Sequence, residues 1–363
     1  MRLSQFDFIL PPELIAQRPA MPRDSARLLV YERATDSIRH SHVRDIGCFL
    51  PTGSLLVGNN SRVRHARLFA RRTDGKQAEI MVLEQIVGNT YRCLLGGKGI
   101  ANGERLEVYA EDSLTNASRL SATVNRREDG NSMHTYVLEF DSPDEPLEAA
   151  FQRLGHAPLP PYIKEEAADP ERYQTVFASK LGSAAAPTAG LHLTQELLAS
   201  LRDQAIGWAE VTLHVGLGTF LPLRNDDLDV NRLHSERTEI CRESADAINL
   251  ALQEKRLVIA IGTTSTRTLE SHWHNGAVQA GEQATELFIR PGYPFKAVNG
   301  LLTNFHLPKS SLLVLLSSFL ANDATGTTVM GADESVTRLQ RIYAEAIAKN
   351  YRFYSFGDAM LVL

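Results

Sequence analysis

The chain has 363 residues, 43% of them hydrophobic and 22% charged, which excludes a disordered or fibrous protein and gives length for about two domains with real cores. Lysine and arginine number 38 against 43 aspartates and glutamates, a net charge of −5 that excludes a globally basic nucleic-acid binder but leaves room for a locally basic face. Cys48, Cys93 and Cys241 are too few and too far apart for a zinc CxxC pair or a disulfide framework, and no N-terminal targeting pattern or membrane-length apolar run is present, so the expected location is the cytoplasm.

From Arg64 to Phe140 six short β-like runs follow one another: HARLFARR, AEIMVLEQI, YRCLLG, RLEVYAE, LSATVNRR and HTYVLEF. They are broken at Asp74-Gly75, Gly88-Asn89, Asn102-Gly103 and Asp129-Gly130-Asn131, the residues that hairpin turns need for positive φ. Six strands with no helical period between them predict a closed or nearly closed β-barrel, because closure removes exposed strand edges. Arg62, Arg64, Arg67, Arg71, Arg72 and Lys76 face a single acid, Asp74, within residues 61–76, a local positive charge suited to a phosphate backbone. A solvated strand face explains the same run.

Proline-rich junctions at Pro143, Pro146, Pro158, Pro160 and Pro161 keep the chain extended beyond the barrel. After Tyr173 the pattern becomes strand, polar loop, helix. EVTLHV runs into Gly216, LVIAI into Gly262 through Arg267 and then a helical TLESHW, and Leu301-Leu302-Thr303 into Asn304 through Lys309 and a helical SSLLVLLSSFL. Repeated β-loop-α units predict a mainly parallel sheet or distorted barrel whose ligands sit beyond the carboxyl ends of the strands.

Those loops hold the residues able to carry chemistry. Pro187, Thr188, Gly190 and His192 precede Thr194, an expected helix N-cap. His214 stands beside Gly216 and Gly218, where a ligand can approach the backbone closely. His234 and Glu236 form a third cluster, His306 and Lys309 a fourth. No two of the four histidines have helix-face metal-ligand spacing, so acid–base or orienting roles are expected and a metal is not.

APTAGLHLT, VTLHVGLGTF, HSER, AIGTTSTRTLES, FIRPGYPFKAV, LLTNFHLPKSSLL and YRFYSFGDAML resemble segments of the S-adenosylmethionine:tRNA ribosyltransferase-isomerase family of queuosine biosynthesis. IAQRPAMPRDSARLLV, NNSRVRHARL and PLPPYIKEEAADPERYQTVFA resemble it too, in the expected order from Ile15 to Met360. The resemblance implies an α/β domain, residues 1–58 and 151–363, with an inserted all-β barrel domain, residues 59–150. It implies a cytosolic enzyme that transfers and isomerises the ribosyl part of S-adenosylmethionine, its co-substrate, onto 7-aminomethyl-7-deazaguanine at the wobble position of tRNA, releasing adenine and methionine. Neither a prosthetic group nor a metal nor a membrane is implied.

On that reading His192, His214, His234, Glu236 and His306 are the acid–base candidates. Pro187, Thr188, Gly190, Gly216, Gly218, Thr219, Gly262, Thr263, Thr264, Ser265 and Arg267 are expected around S-adenosylmethionine, with Arg267 on a carboxylate or ribose, and Phe220 and Tyr293 facing the sulfonium. Arg62, Arg64, Arg67, Arg71 and Lys309 are expected on tRNA, with Lys296 and Arg290 as a second location. The chain departs from the family's usual NDTRVIPARL at Asn60, Ser61, Arg64 and His65, and from its usual phenylalanine at Leu193; Asn60 cannot serve as a carboxylate base. Two other readings fit the residues alone: a nucleotide-metabolising enzyme without RNA, and a non-catalytic RNA-binding protein.

Overall fold

The computed structural model describes residues 1–110, 119–129, 134–158, 160, 162–163, 170–216, 223, 225–323, 325, 327 and 329–363. Contacts divide the chain into two units. The first is built from Met1–Ser61, Pro161–Lys180 and Ala186–Leu363, the second from Arg62–Pro160 and Leu181–Ala185.

The first unit is a mixed sheet of nine strands. In spatial order they are Gly281–Thr285, Glu236–Ile240, Gly207–Leu213, Leu55–Asn59, Val258–Ile261, Gly300–Asn304, Ala359–Val362, Arg27–Glu32 and Ser37–His42. The four consecutive strands from Gly207–Leu213 to Gly300–Asn304 pair in parallel, and Arg27–Glu32 pairs in parallel with Ala359–Val362; the remaining four pairings are antiparallel. Leu55–Asn59, Val258–Ile261, Gly300–Asn304 and Ala359–Val362 are buried throughout, so their sequences are apolar except at the carboxyl ends, where Asn59, Thr303 and Asn304 stand.

The two-residue period of a strand then sorts their side chains into two cores. Leu55, Val57, Val258, Ala260, Leu301, Met360 and Val362 join one core, packed with Ile248 of helix Arg242–Gln253, Leu316 of Ser311–Leu320 and Leu339 of Ala332–Ala348. Leu56, Ile259, Ile261, Leu302, Ala359 and Leu361 join the other, under Leu197 and Leu201 of helix Gln195–Asp203. The expected N-cap is present: the Leu197 amide donates to Thr194 Oγ1 at 3.1 Å.

The second unit is a closed six-stranded antiparallel barrel of Arg67–Arg72, Gln77–Val87, Thr90–Gly96, Arg105–Tyr109, Ser121–Asp129 and His134–Asp141. Alternate residues fill it: Leu68 and Ala70, Ile80 and Val82, Leu106 and Val108. Helix Leu147–Leu154 adds Phe151, whose ring meets Tyr91 and Phe140 edge-on at 5.4 and 5.0 Å. Closure leaves no free edge, which is why six short strands make a stable unit.

One buried carboxyl fixes a long segment beside the sheet. Glu270, near the end of helix Gly262–Ser271, accepts the amides of Lys296, Ala297 and Val298 at 2.9–3.1 Å and the Tyr293 hydroxyl at 3.2 Å. Burial nevertheless outweighs these donors and raises its pKa from 4.5 to about 7. A carboxyl raised in the folded state stabilises the fold below its unfolded pKa, and that contribution is lost as pH climbs from 4.5 through about 7. Glu270→Gln removes this dependence: between pH 5 and pH 8, denaturant titrations of wild type should lose on the order of 3 kcal/mol relative to the variant, and parallel pH profiles would contradict the assignment.

Candidate functional site

Because four neighbouring strands run in parallel, their carboxyl ends lie along one sheet edge. The segments that leave this edge are Asn60-Ser61, His214 to Gly216, Gly262 onward, and Phe305 to Ser310. Two hollows lie here and share Ser311 and Leu312 as a common wall.

The larger is a cleft of about 300 Å³ lined by Tyr162, Thr188, Asn304, His306, Lys309, Tyr354 and Ser355 among others. Tyr162 packs on Tyr354 with ring centroids 4.7 Å apart, and its hydroxyl lies 2.6 Å from Ser355 Oγ. Behind the cleft, His192 Nε2 lies 3.2 Å from Asn304 Nδ2, while Thr188 donates to Asn304 Oδ1 at 3.4 Å. His306 Nε2 lies 2.8 Å from Thr303 Oγ1, and the His306 amide donates to the Tyr343 hydroxyl at 3.0 Å. Burial lowers the pKa of His192 to about 4 and that of His306 to about 3, so both are neutral near pH 7.

The smaller hollow, about 20 Å³, has room for one water-sized group and is lined by His234, Glu236 and Arg267. Arg267 is buried; its Nη1 pairs with Glu236 Oε2 and its Nε donates to the Leu287 carbonyl at 3.0 Å. Its Nη2 has no hydrogen-bond partner among the described residues. The other Glu236 oxygen accepts the Gly216 amide at 3.0 Å. His214 donates its own amide to the Arg237 carbonyl at 3.0 Å, next to Glu236 in the chain. His214 is half-buried, with its Nδ1 shut off from solvent, and His234 is exposed.

Several expectations need correction. Gly262 to Arg267 is not a loop: helix Gly262–Ser271 begins directly at the end of its strand, with Gly262 at φ +88°, a conformation that favours glycine. Ser265 and Thr266 spend their hydroxyls on the Ile261 and Gly262 carbonyls at 2.9 and 3.1 Å. Thr263 is buried, and the Thr264 hydroxyl is without a hydrogen-bond partner among the described residues. Pro187 opens the 3-10 turn Thr188–His192, where Gly190 serves packing: a Cβ there would stand 2.8 Å from both Phe177 and Thr175. Gly216 has open space around it. Tyr293 is tied to Glu270 and lines neither hollow. Gly218, Thr219 and Phe220 lie outside the described residues.

The basic run is also more neutral than its sequence. Arg64 pairs with Glu148 at 2.8 Å, Arg67 with Glu79 at 2.9 Å, Arg72 with Glu104 at 2.6 Å and Lys76 with Asp74 at 2.9 Å. Three of these carboxylates come from outside the run. Arg71 instead places its guanidinium 5.7 Å from the Tyr109 ring centroid. Lys309 pairs with Asp7 at 2.6 Å and Arg290 with Asp229 at 2.5 Å. Asn60 donates to Glu210 Oε2 at 2.9 Å and accepts from Thr212 at 2.7 Å; a carboxylate in its place would face Glu210. Asn304, Tyr162, Tyr354 and Ser355 were absent from the expected site. All four lie in segments that resemble the family, LLTNFHLPKSSLL, PLPPYIKEEAADPERYQTVFA and YRFYSFGDAML, but nothing local marks them as meeting at one cleft.

The family model described as "Queuosine biosynthesis protein" matches residues 3–362. The chain belongs to that family. It is 44% identical over 365 residues to the S-adenosylmethionine:tRNA ribosyltransferase-isomerase of Anaeromyxobacter sp. (strain K), covering 100% of this chain and 99% of that one. It is 43% identical over 364 residues to the protein of that name from Carboxydothermus hydrogenoformans, with 100% of both chains covered. The crystal structure of S-adenosylmethionine tRNA ribosyltransferase from Thermotoga maritima is similar, with a TM-score of 0.54 and 33% identity over 99% of this chain and 100% of that one. This queuosine-family chain is accordingly an enzyme, and the non-catalytic reading falls away.

Within this family member, the Glu236–Arg267 pair is testable apart from activity. Removing one partner of a buried ion pair strands the other charge, at about 3–5 kcal/mol. Glu236→Gln should therefore destabilise the protein by that order, and adding Arg267→Met should recover part of the loss in chemical denaturation. A double variant as unstable as the sum of the singles would mean that the two side chains are not coupled.

Proposed function

We propose that the protein transfers and isomerises the ribosyl moiety of S-adenosylmethionine onto 7-aminomethyl-7-deazaguanine at the tRNA wobble position, giving epoxyqueuosine in tRNA, adenine and methionine. Family membership over nearly the whole chain and full-length relatives that carry this enzyme name support the reading. The nucleotide-metabolising alternative without RNA has no such support. A cytoplasmic location fits a tRNA substrate, and no helix among the described residues is long and apolar enough to cross a membrane.

The observation that carries the site is the buried Arg267 Nη2, without a partner among the described residues, on a side chain that lines a hollow of one-oxygen size next to the larger cleft. A buried guanidinium N–H without an acceptor is costly, and a substrate carboxylate oxygen supplies one. Arg267 therefore holds the methionine carboxylate, with Glu236 fixing the guanidinium, while the rest of the molecule occupies the cleft lined by Thr188, Asn304 and Tyr354.

The sulfonium acidifies the C5′ protons; a base removes one, C5′ bonds to C1′ and the C1′–adenine bond breaks. The aminomethyl nitrogen then attacks C1′ and breaks its bond to the ring oxygen, and that oxygen closes on C5′ to form the epoxide as the C5′–sulfur bond breaks and methionine leaves. His214 and His234 are the proton carriers in this scheme, because burial lowers the pKa of His192 and His306 and makes both rings weak bases. In tRNA the target base lies in a single-stranded loop, where it can be unstacked and reached.

Release of adenine from S-adenosylmethionine should require precursor tRNA. Release without tRNA, or turnover of the free 7-deazaguanine at the same rate, would overturn the assignment. His214→Gln and His234→Gln, assayed in single turnovers, should lower adenine release by about 10²- to 10⁴-fold for whichever residue is the base; wild-type rates in both would remove the histidine base.

The barrel strand Arg67–Arg72 supplies a phosphate contact through Arg71, since Arg67 and Arg72 already sit on carboxylates. Arg71→Ala should flatten the slope of log affinity for tRNA against log salt by roughly 0.7–0.9. Arg67→Ala should flatten it clearly less, and equal flattening by the two would contradict the distinction.

A further inference from the structure

We propose that Asn304 is a specificity-determining residue that presents only an acceptor to the cleft, and that His192 is the positioning residue that locks it in that sense with its own proton on Nδ1. The proposal rests on the reading of the cleft as the S-adenosylmethionine site.

The polarity of the Asn304 amide follows from its neighbours. Its Nδ2 lies 3.0 Å from the Tyr354 carbonyl oxygen, which can only accept and which also takes the Gly357 amide at 3.0 Å. The nitrogen must therefore face Tyr354, and Oδ1 faces Thr188, whose hydroxyl donates to it at 3.4 Å. Tyr354 has φ +73°, an uncommon conformation for a bulky residue, and its amide donates to the Phe305 carbonyl at 3.0 Å. Strain of this kind persists only where the surroundings dictate it.

With one amide hydrogen on Tyr354, the other points to His192 Nε2 at 3.2 Å, closer than the Ser355 carbonyl oxygen at 3.5 Å. That ring nitrogen has to offer a lone pair, which places the imidazole proton on Nδ1. A second proton on Nε2 would oppose an N–H. The charged groups near His192 are Asp358, which favours its cation, and Arg352 and Arg23, which oppose it. Asp358 is itself engaged by the Arg27 and Arg352 amides at 3.0 and 2.8 Å.

Both Asn304 donors are thus spent inside the protein, and only Oδ1 has capacity left. His192 does not line the cleft; Asn304 and Thr188 do. The substrate edge that meets Asn304 must carry a hydrogen-bond donor, as the ammonium, the ribose hydroxyls and the adenine amino group of S-adenosylmethionine do. His192 then acts through Asn304 and never receives the substrate proton.

Nitrogen-15 NMR of the free enzyme at pH 7 tests the locked polarity without substrate. The expected spectrum shows His192 neutral with the proton on Nδ1. A proton on Nε2, or a cationic ring, overturns the proposal. Asn304→Asp replaces the donor by an acceptor, so His192 should move its proton to Nε2 or titrate at higher pH, and an unchanged tautomer would contradict the coupling. Asn304→Ala should raise the KM for S-adenosylmethionine about 10- to 100-fold with a smaller change in kcat. If the tautomer is as stated and KM does not move, Asn304 does not contact this substrate and the specificity role fails. Failure of the site reading would show separately, as S-adenosylmethionine that leaves the Asn304 side-chain amide signals unshifted on binding to wild type.

Discussion

Burial of the central strands on both faces constrains everything else in the first unit. Leu55–Asn59, Val258–Ile261 and Gly300–Asn304 have no solvent-facing side, so polar side chains are tolerated along them only where they end. Parallel pairing puts those ends on one edge, and the polar residues Asn59, Asn60, Thr263, Thr303 and Asn304 accumulate there. The site is a consequence of the sheet's own solvation problem, with ligand chemistry placed where the apolar pattern has to stop.

At that edge the electrostatics separate into two kinds. His192 and His306 are enclosed and kept neutral, with their ring nitrogens engaged by Asn304 and Thr303. Arg267 and Glu236 are enclosed and paired, yet one guanidinium nitrogen has no partner among the described residues. Buried groups that are fully satisfied shape a cleft, whereas a buried group with capacity left waits for a ligand atom. Residues of one type at one edge therefore divide into scaffold and contact by their hydrogen-bond ledger rather than by identity.

The barrel was legible because four of its five connections carry Asp-Gly, Gly-Asn or Asn-Gly, and the β-loop-α units because apolar runs end abruptly in polar loops. The pairing of Leu28 with Ala359 was not, since it joins the two ends of the chain and neither strand alternates. The run Gly262 to Arg267 reads as a loop because threonine and serine disfavour helix interiors. In the fold their hydroxyls bond back to the preceding turn and the helix starts early. Four histidines marked the right edge of the sheet, but which of them are sealed depends on Tyr343, Thr303 and Asn304, whose positions no spacing reveals. The basic run looked cationic only because Glu79, Glu104 and Glu148 lie elsewhere in the sequence.

Placement of the sulfonium substrate at the carboxyl edge of the parallel strands is the central claim, and a crystal structure of the protein soaked with S-adenosylmethionine tests it most directly. Density is expected in the cleft between Thr188, Asn304 and Ser311, with the methionine carboxylate on Arg267 Nη2. Ordered S-adenosylmethionine remote from both hollows, with Arg267 Nη2 still unpartnered, would contradict it.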